Sequence, residues 1–176
     1  DSVGRQIGLG RGRFYSLTVF ALFHSTRIFP VDSDAAGDFY PGSVINGTGN
    51  ALANVLIGNS GINRLDGGAG KDILTGGLGN DRFVFKTAAD SLVGGNRDTI
   101  TDFTVAGTLE RIDLSAFAGT FAFRGTGAFS STGKEVSYKF SGANTLVKID
   151  LDGDTASEME ILLIGRKTLT AVDFIL

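Results

Sequence analysis

Residues 67–85 read GGAGKDILTGGLGNDRFVF, and the spacing inside this stretch decides the fold. Glycine pairs stand at Gly67–Gly68 and Gly76–Gly77, single glycines at Gly70 and Gly79, and carboxylates at Asp72 and Asp81, each nine residues after its counterpart. Glycine in regular structure costs up to about 1 kcal/mol relative to alanine, so this density asks for a backbone reason. Stepping backwards by nines brings GNALANVLI from Gly49 and GNSGINRLD from Gly58 into the same register. Gly49, Gly58, Gly67 and Gly76 head the four units, and Gly61, Gly70 and Gly79 fill the fourth position of three of them. Asn54, Asn63, Asp72 and Asp81 occupy the sixth position; Leu56, Leu65, Leu74 and Phe83 occupy the eighth.

A unit of this kind reads as a six-residue turn followed by a three-residue strand. Two units close one coil of 18 residues, and successive coils stack as parallel strands with the eighth-position residues filling a narrow interior. The turns need backbone that tolerates positive φ, which glycine supplies. Stacked turns face one another with carbonyl oxygens and carboxylates. That arrangement is repulsive alone and becomes a cage of hard ligands around a cation. Ca2+ takes 6–8 oxygens at roughly 2.3–2.6 Å; Mg2+ demands tighter octahedral geometry and keeps its waters. The expected cofactor is therefore Ca2+.

Composition sets the outer limits. Of 176 residues, 42% are hydrophobic and 20% charged, enough apolar content for a packed core. The net charge of −3 lacks the basic footprint of a nucleic-acid binder. There is no cysteine, so disulfides and thiolate metal sites are excluded and the compartment stays open. No apolar run reaches the roughly 18 residues of a spanning helix, so no stable membrane insertion is expected. Phe14–Phe23, FYSLTVFALF, follows Arg5, Arg11 and Arg13 in the manner of a short secretory signal, but no small-residue cleavage pattern follows and a buried strand is the reading taken. Residues 1–44 carry no repeat, and VDSDAAGD, Val31 to Asp38, reads as an acidic loop of unknown role.

Beyond Phe85 the glycine spacing stops. DTITDF, RIDLSAF, VSYKF, TLVKIDL, MEILLIG and AVDFIL give strand signals separated by turns, as in an all-β sandwich. Asp152–Gly153 marks a hairpin. KIDLDGDTASEME invites an EF-hand reading through Asp150, Asp152 and Asp154, but Thr155 and Ile161 stand where that loop needs glycine and glutamate, so it is read as a solvated turn. His24 is the single histidine, which excludes a paired-histidine zinc helix, and no G-x-S-x-G elbow is present. The chain is read as non-catalytic.

GGAGKDILT and GGLGNDRFV match the Ca2+-binding nonapeptide of the RTX family. Together with DRFVFKTAADS, RDTITDF, ERIDLSAF and the closing DFIL, the run from Ile45 to Leu176 resembles the C-terminal domain of serralysin-type secreted metalloproteases. The resemblance implies a short parallel β-roll over 45–85 followed by an antiparallel β-sandwich over 86–176. It also implies a secreted bacterial protein that folds on Ca2+ outside the cell and is read at its C-terminus by a type I (ABC) exporter. A catalytic domain outside this chain is a further implied partner. Other readings remain: a small adhesin or glycan-binding module, or the non-catalytic part of a protease, lipase or epimerase.

In that family an ion lies between one turn and the turn two units later. Carried over, Gly58, Ser60 and Asn63 would face Gly77, Gly79 and Asp81, and Gly49, Ala51 and Asn54 would face Gly68, Gly70 and Asp72. Asn in place of Asp supplies less charge, so weaker sites are expected there. Gly67, Ala69 and Asp72, and Gly76, Leu78 and Asp81, would begin the next pair of cages. Counting one coil on from Asp72 reaches Asp90, and counting on from Asp81 reaches Asp98. These two acids are expected either to stack over Asp72 and Asp81 respectively, or to be ordinary loop residues.

Overall fold

The computed structural model describes residues 45–105 and 110–176, together with the backbone of 17–20 and 27–28. Two sheets face each other, and the repeat feeds them alternately. The first runs β1 (Leu17–Phe20), β3 (Ile45–Thr48), β5 (Arg64–Asp66), β7 (Arg82–Val84), β9 (Arg111–Asp113) and β14 (Phe174–Ile175), every pairing parallel. The second runs β10 (Ala122–Phe123), β11 (Glu135–Ser141), β12 (Asn144–Asp150), β13 (Met159–Leu163), β8 (Asp98–Ile100), β6 (Ile73–Thr75), β4 (Val55–Ile57) and β2 (Arg27–Ile28). Here β11–β12 and β12–β13 are antiparallel hairpins, and the remaining pairings are parallel.

The inward rows follow from the period of two along each short strand. On the first sheet Gly47, Leu65, Phe83 and Ile112 are in register. On the second, Leu56, Leu74, Ile100 and Leu163 are in register. Apart from Gly47 these side chains are all but fully buried. Burying each contributes roughly 1.5–3 kcal/mol relative to exposure. At Gly47 a Cβ would stand 3.1 Å from Leu56 Cδ2, so the opposing leucine occupies that space.

Among the described residues there is no α-helix, only three 3-10 turns. The all-β fold, a parallel roll passing into antiparallel strands, is the one the sequence leads to. The winding also extends beyond 45–85. β1 and β2 form a coil ahead of it, and β8 and β9 form one behind it, so the sheets run unbroken past Phe85. The later coil is longer: Ile73 pairs with Thr99 because the 3-10 turns Ala88–Asp90 and Gly94–Asn96 are inserted after β7, and Arg82 pairs with Arg111 because the connection from β8 to β9 is longer as well. Aromatic contacts close the core: Phe83 lies 6.1 Å from Phe103, and Phe123 lies 5.5 Å from Phe174, ring centre to ring centre. β1 falls inside the Phe14–Phe23 stretch expected as a strand; its side chains, His24 and the Val31–Asp38 loop lie outside the described residues.

Candidate metal centre

The alternation between sheets produces two rows of turns, one on each side of the roll. In the first row the turn 49–54 meets 67–72; in the second, 58–63 meets 76–81. Backbone bonds set the stacking: Gly49 N–H donates to Asp66 O at 2.7 Å, Gly58 N–H to Thr75 O at 2.7 Å, and Leu78 N–H to Asn59 O at 3.1 Å. Gly70 sits at φ +122°, and a Cβ there would stand 2.8 Å from the Leu52 carbonyl oxygen. Only glycine combines that φ with so close an approach. The turn carbonyls are thereby pressed against the next turn along the row.

The sixth-position residues form a ladder. Asp72 Oδ1 accepts the Asn54 N–H at 2.7 Å, and Asp81 Oδ1 accepts the Asn63 N–H at 2.7 Å. Asn54 Oδ1 and Asn63 Oδ1 turn back to accept the N–H groups of Asn50 and Asn59, each at 2.7 Å. One oxygen of each aspartate is thus used. The other, Oδ2 of Asp72 and of Asp81, is buried with no hydrogen-bond partner. Gly67 and Gly76 leave room for these atoms, since a Cβ at either would collide with the Oδ2 of Asp72 or Asp81.

Asp98 repeats the pattern one coil on. Its Oδ1 accepts the Asp72 N–H at 2.7 Å, and its Oδ2 is likewise buried and unpartnered. Asp98 therefore stacks over Asp72, where counting from Asp81 had placed it over Asp81. Units alternate between sheets, so Asp72, just before β6, and Asp98, the first residue of β8, both belong to the second sheet, whereas Asp81 precedes β7 of the first. Asp90 does not form the expected rung over Asp72: it accepts the N–H groups of Lys86 and Thr87 at 2.6 and 3.1 Å, closing the turn 88–90. It lies close enough for its charge to raise the pKa of both Asp72 and Asp98.

In the second row the residue beyond Asp81 is Glu110, which precedes Arg111 as Asp81 precedes Arg82. Asp102 accepts the N–H groups of Gly76 and Gly77 at 2.9 and 2.8 Å. Neither acid stands at the nine-residue spacing of the repeat, although Glu110 precedes RIDL as Asp81 precedes RFV. Of the other expected ligand positions, Gly58, Ser60 and Asn63 do face the turn holding Gly77, Gly79 and Asp81. Gly49, Ala51 and Asn54 face the turn holding Gly68, Gly70 and Asp72. Ala69, partly buried, and Leu78, exposed, carry hydrocarbon side chains, so either can offer only its carbonyl.

Burial is the main influence on these acids. It pushes Asp72 and Asp81 up to about 7 and Asp98 up to about 8, against the N–H bonds that favour their charged forms. Glu110 is pushed up to about 7, again by burial first. Lys86 pairs with Asp66, and Arg97 with Glu160 at 3.2 Å; among the described residues no basic side chain pairs with Asp72, Asp81 or Asp98. Acids this buried and without a cation fit a metal: they combine free anionic oxygens, turn carbonyls and a cradle of glycines.

A second acidic group lies in the β12–β13 hairpin, where oxygens of Asp150, Asp152 and Glu158 come within 4.8 Å of one another. Asp150 there already accepts the N–H groups of Asp152, Gly153 and Thr155, as a turn-forming residue does. Among the described residues no helix is long and apolar enough to cross a membrane.

The sequence profile of the family described as Peptidase M10 serralysin C terminal matches residues 43–176. Among solved structures, the chain is similar to the solution structure of the AlgE6R2 subunit from the Azotobacter vinelandii mannuronan C5-epimerase. The two are 32% identical, with a TM-score of 0.53, over 74% of this chain and 80% of that one. No curated protein matches the chain.

Proposed function

The chain belongs to the serralysin C-terminal family of peptidase M10 proteins, and from that premise we propose that it is a Ca2+-dependent folding and export module. The observation that carries this reading is the set of buried, unpartnered Oδ2 atoms on Asp72, Asp81 and Asp98. Carboxylates in such surroundings are either protonated or matched by a cation.

Asp72, with the turn carbonyls of Gly49, Ala51, Gly68 and Gly70 and the Asn54 amide, would hold one ion. Asp81, with Gly58, Ser60, Asn63, Gly77 and Gly79, would hold a second. Gly67, Ala69 and Asp72 with Asp98, flanked by Asp90, would hold a third in the first row. Gly76, Leu78 and Asp81 would hold a fourth in the second row, closed by Glu110 or Asp102. When bound, the ion supplies positive charge between coils that otherwise repel. An ion that binds only the wound chain stabilises it by mass action, by about 2.7 kcal/mol per independent site at a hundredfold excess over Kd. Where free Ca2+ is scarce, as inside a bacterium, the roll stays loose; in the medium it locks. No catalytic step is assigned to the chain.

A loose chain suits threading through a narrow exporter, and β14 with the residues around it is proposed as the segment a type I apparatus reads. Calorimetric Ca2+ titration followed by circular dichroism tests the metal half: saturable binding with a coincident gain of β signal is expected, and binding without that gain contradicts it. Secretion of an Ile175→Ser/Leu176→Ser variant tests the export half. The half-buried Ile175 and exposed Leu176 leave Ca2+-induced folding intact, so loss of secretion is expected; secretion at the unmodified level contradicts it.

A further inference from the structure

The antiparallel end of the second sheet carries a cavity that the Ca2+ reading does not use. In β11 the alternation of a strand sends Val136 and Tyr138 into the core and Ser137 and Lys139 to the outer face. On β12, Lys148 stands directly opposite Ser137 in register, and so on that same face. The chain arrives alongside β11 from β10, where the Tyr138 N–H donates to Gly125 O at 2.8 Å. The loop that follows brings Phe129 against Lys148, whose ammonium sits 5.3 Å from the ring centre. Thr126, Phe129, Ser137, Lys139, Lys148 and Thr155 are among the residues that line a cavity of about 270 Å3.

The wall of this cavity is rich in donors. Neither a carboxylate nor an arginine lines it. Glu160, the neighbour of Lys148 on β13, is committed to Arg97 at 3.2 Å and to the Gly94 N–H at 3.0 Å. Among the described residues neither Lys148 nor Lys139 has an ion pair. Ser137 is only 5% exposed, and among the described residues its hydroxyl has no hydrogen-bond partner. A buried hydroxyl left unpaired destabilises a fold, so its place on the cavity wall asks for a partner that enters the cavity. Thr155 joins the wall from the β12–β13 hairpin at φ +76°, where a β-branched residue is strained. Asp150 holds it there by accepting its N–H at 3.2 Å.

From this wall we propose that the cavity binds a small phosphate monoester. Lys148 and Lys139 meet its charge, and the hydroxyls of Ser137, Thr126 and Thr155 donate to its terminal oxygens. A planar carboxylate is best served by the fork of an arginine, which the cavity lacks. An ammonium acts as a point charge, and hydroxyls set beside it suit a group with three acceptor oxygens. The volume falls below the roughly 300–1,000 Å3 of drug-sized sites, which leaves room for the phosphate and one small ring or short chain. The acids of the neighbouring hairpin do not oppose the ligand, because Asp150, Asp152 and Asp154 turn their carboxylates onto N–H groups of their own loop. The cavity is separate from the turns proposed to hold Ca2+.

The test uses the whole chain in excess Ca2+, with circular dichroism confirming its β signal, and titrates phenyl phosphate by calorimetry. Benzoate and phenol serve as planar-carboxylate and neutral controls. Saturable binding of phenyl phosphate is expected, at least about tenfold tighter than that of benzoate, with none of phenol. Lys148→Gln should weaken it at least about tenfold. Ser137→Ala should weaken it several-fold while urea denaturation shows a fold at least as stable as before, since the change removes an unpaired buried hydroxyl. If Lys148→Gln loses β signal, Ser137→Ala decides in its place. A folded protein that ignores phenyl phosphate, or one that binds benzoate or phenol as tightly, would overturn the proposal. So would folded variants that bind undiminished, by showing that the phosphate sits on bound Ca2+ or on another basic face. Such a failure would leave the Ca2+ reading standing, because the β signal is scored separately.

Discussion

Asp98 accepts the backbone N–H of Asp72 through Oδ1 at 2.7 Å, just as Asp72 accepts that of Asn54. One carboxylate ladder therefore crosses the point where the glycine repeat ends. The coil built from β8 and β9 is a working turn of the roll even though its sequence has lost the nonapeptide.

The ladder ranks the acids. Asp72→Ala and Asp81→Ala remove a charged rung from the middle of a row, so each should weaken Ca2+ binding more than Asn54→Ala or Asn63→Ala. Asp98→Ala should weaken it more than Asp90→Ala, since Asp90 closes its own 3-10 turn. Asn63→Asp should tighten binding. Calorimetric titration of this set checks the order, and equal affinities throughout would reject the ladder as the metal centre.

The raised pKa values give the chelated protein a pH dependence of definite sign. An acid with a folded pKa near 7 or 8 and an ordinary unfolded value near 4 binds more protons folded than unfolded between those limits. Stability contributed by these groups is then present below about pH 4 and is lost as pH rises through about 7 to 8. With chelator present, the β signal of the roll should be stronger at pH 5 than at pH 8.5. Ca2+ affinity should run the other way, rising with pH as the protons leave. Circular dichroism across this range checks both directions.

Glycine positions separate conformation from composition. Gly79 sits at φ +118° with its Cβ direction blocked by the Gly61 carbonyl, and Gly70 is held likewise by Leu52. Either changed to alanine should destabilise the Ca2+-loaded protein by roughly 1–3 kcal/mol. Gly95, whose Cβ would meet nothing within 4 Å, should tolerate alanine with little change. Urea denaturation of the three variants measures the difference.

The roll was legible because one feature repeats in every unit: the eighth-position column Leu56, Leu65, Leu74 and Phe83 marks both period and inward face. The step after Phe85 was not legible. Residues inserted there and between β8 and β9 lengthen the coil from 18 residues to 26 on one sheet and 29 on the other, so arithmetic from Asp81 reached Asp98, which stands on the opposite row. Glu110 was hidden for the same reason, although its place before RIDL matches that of Asp81 before RFV.

The most direct test of the central claim is amide hydrogen exchange at Asn54, Asn63 and Asp72, whose N–H groups donate to Asp72, Asp81 and Asp98, with millimolar Ca2+ and with chelator at pH 8. These three amides should be strongly protected with Ca2+, unprotected with chelator, and not rescued by Mg2+. Equal protection with and without Ca2+ would mean that the turns stack unaided and would contradict the account.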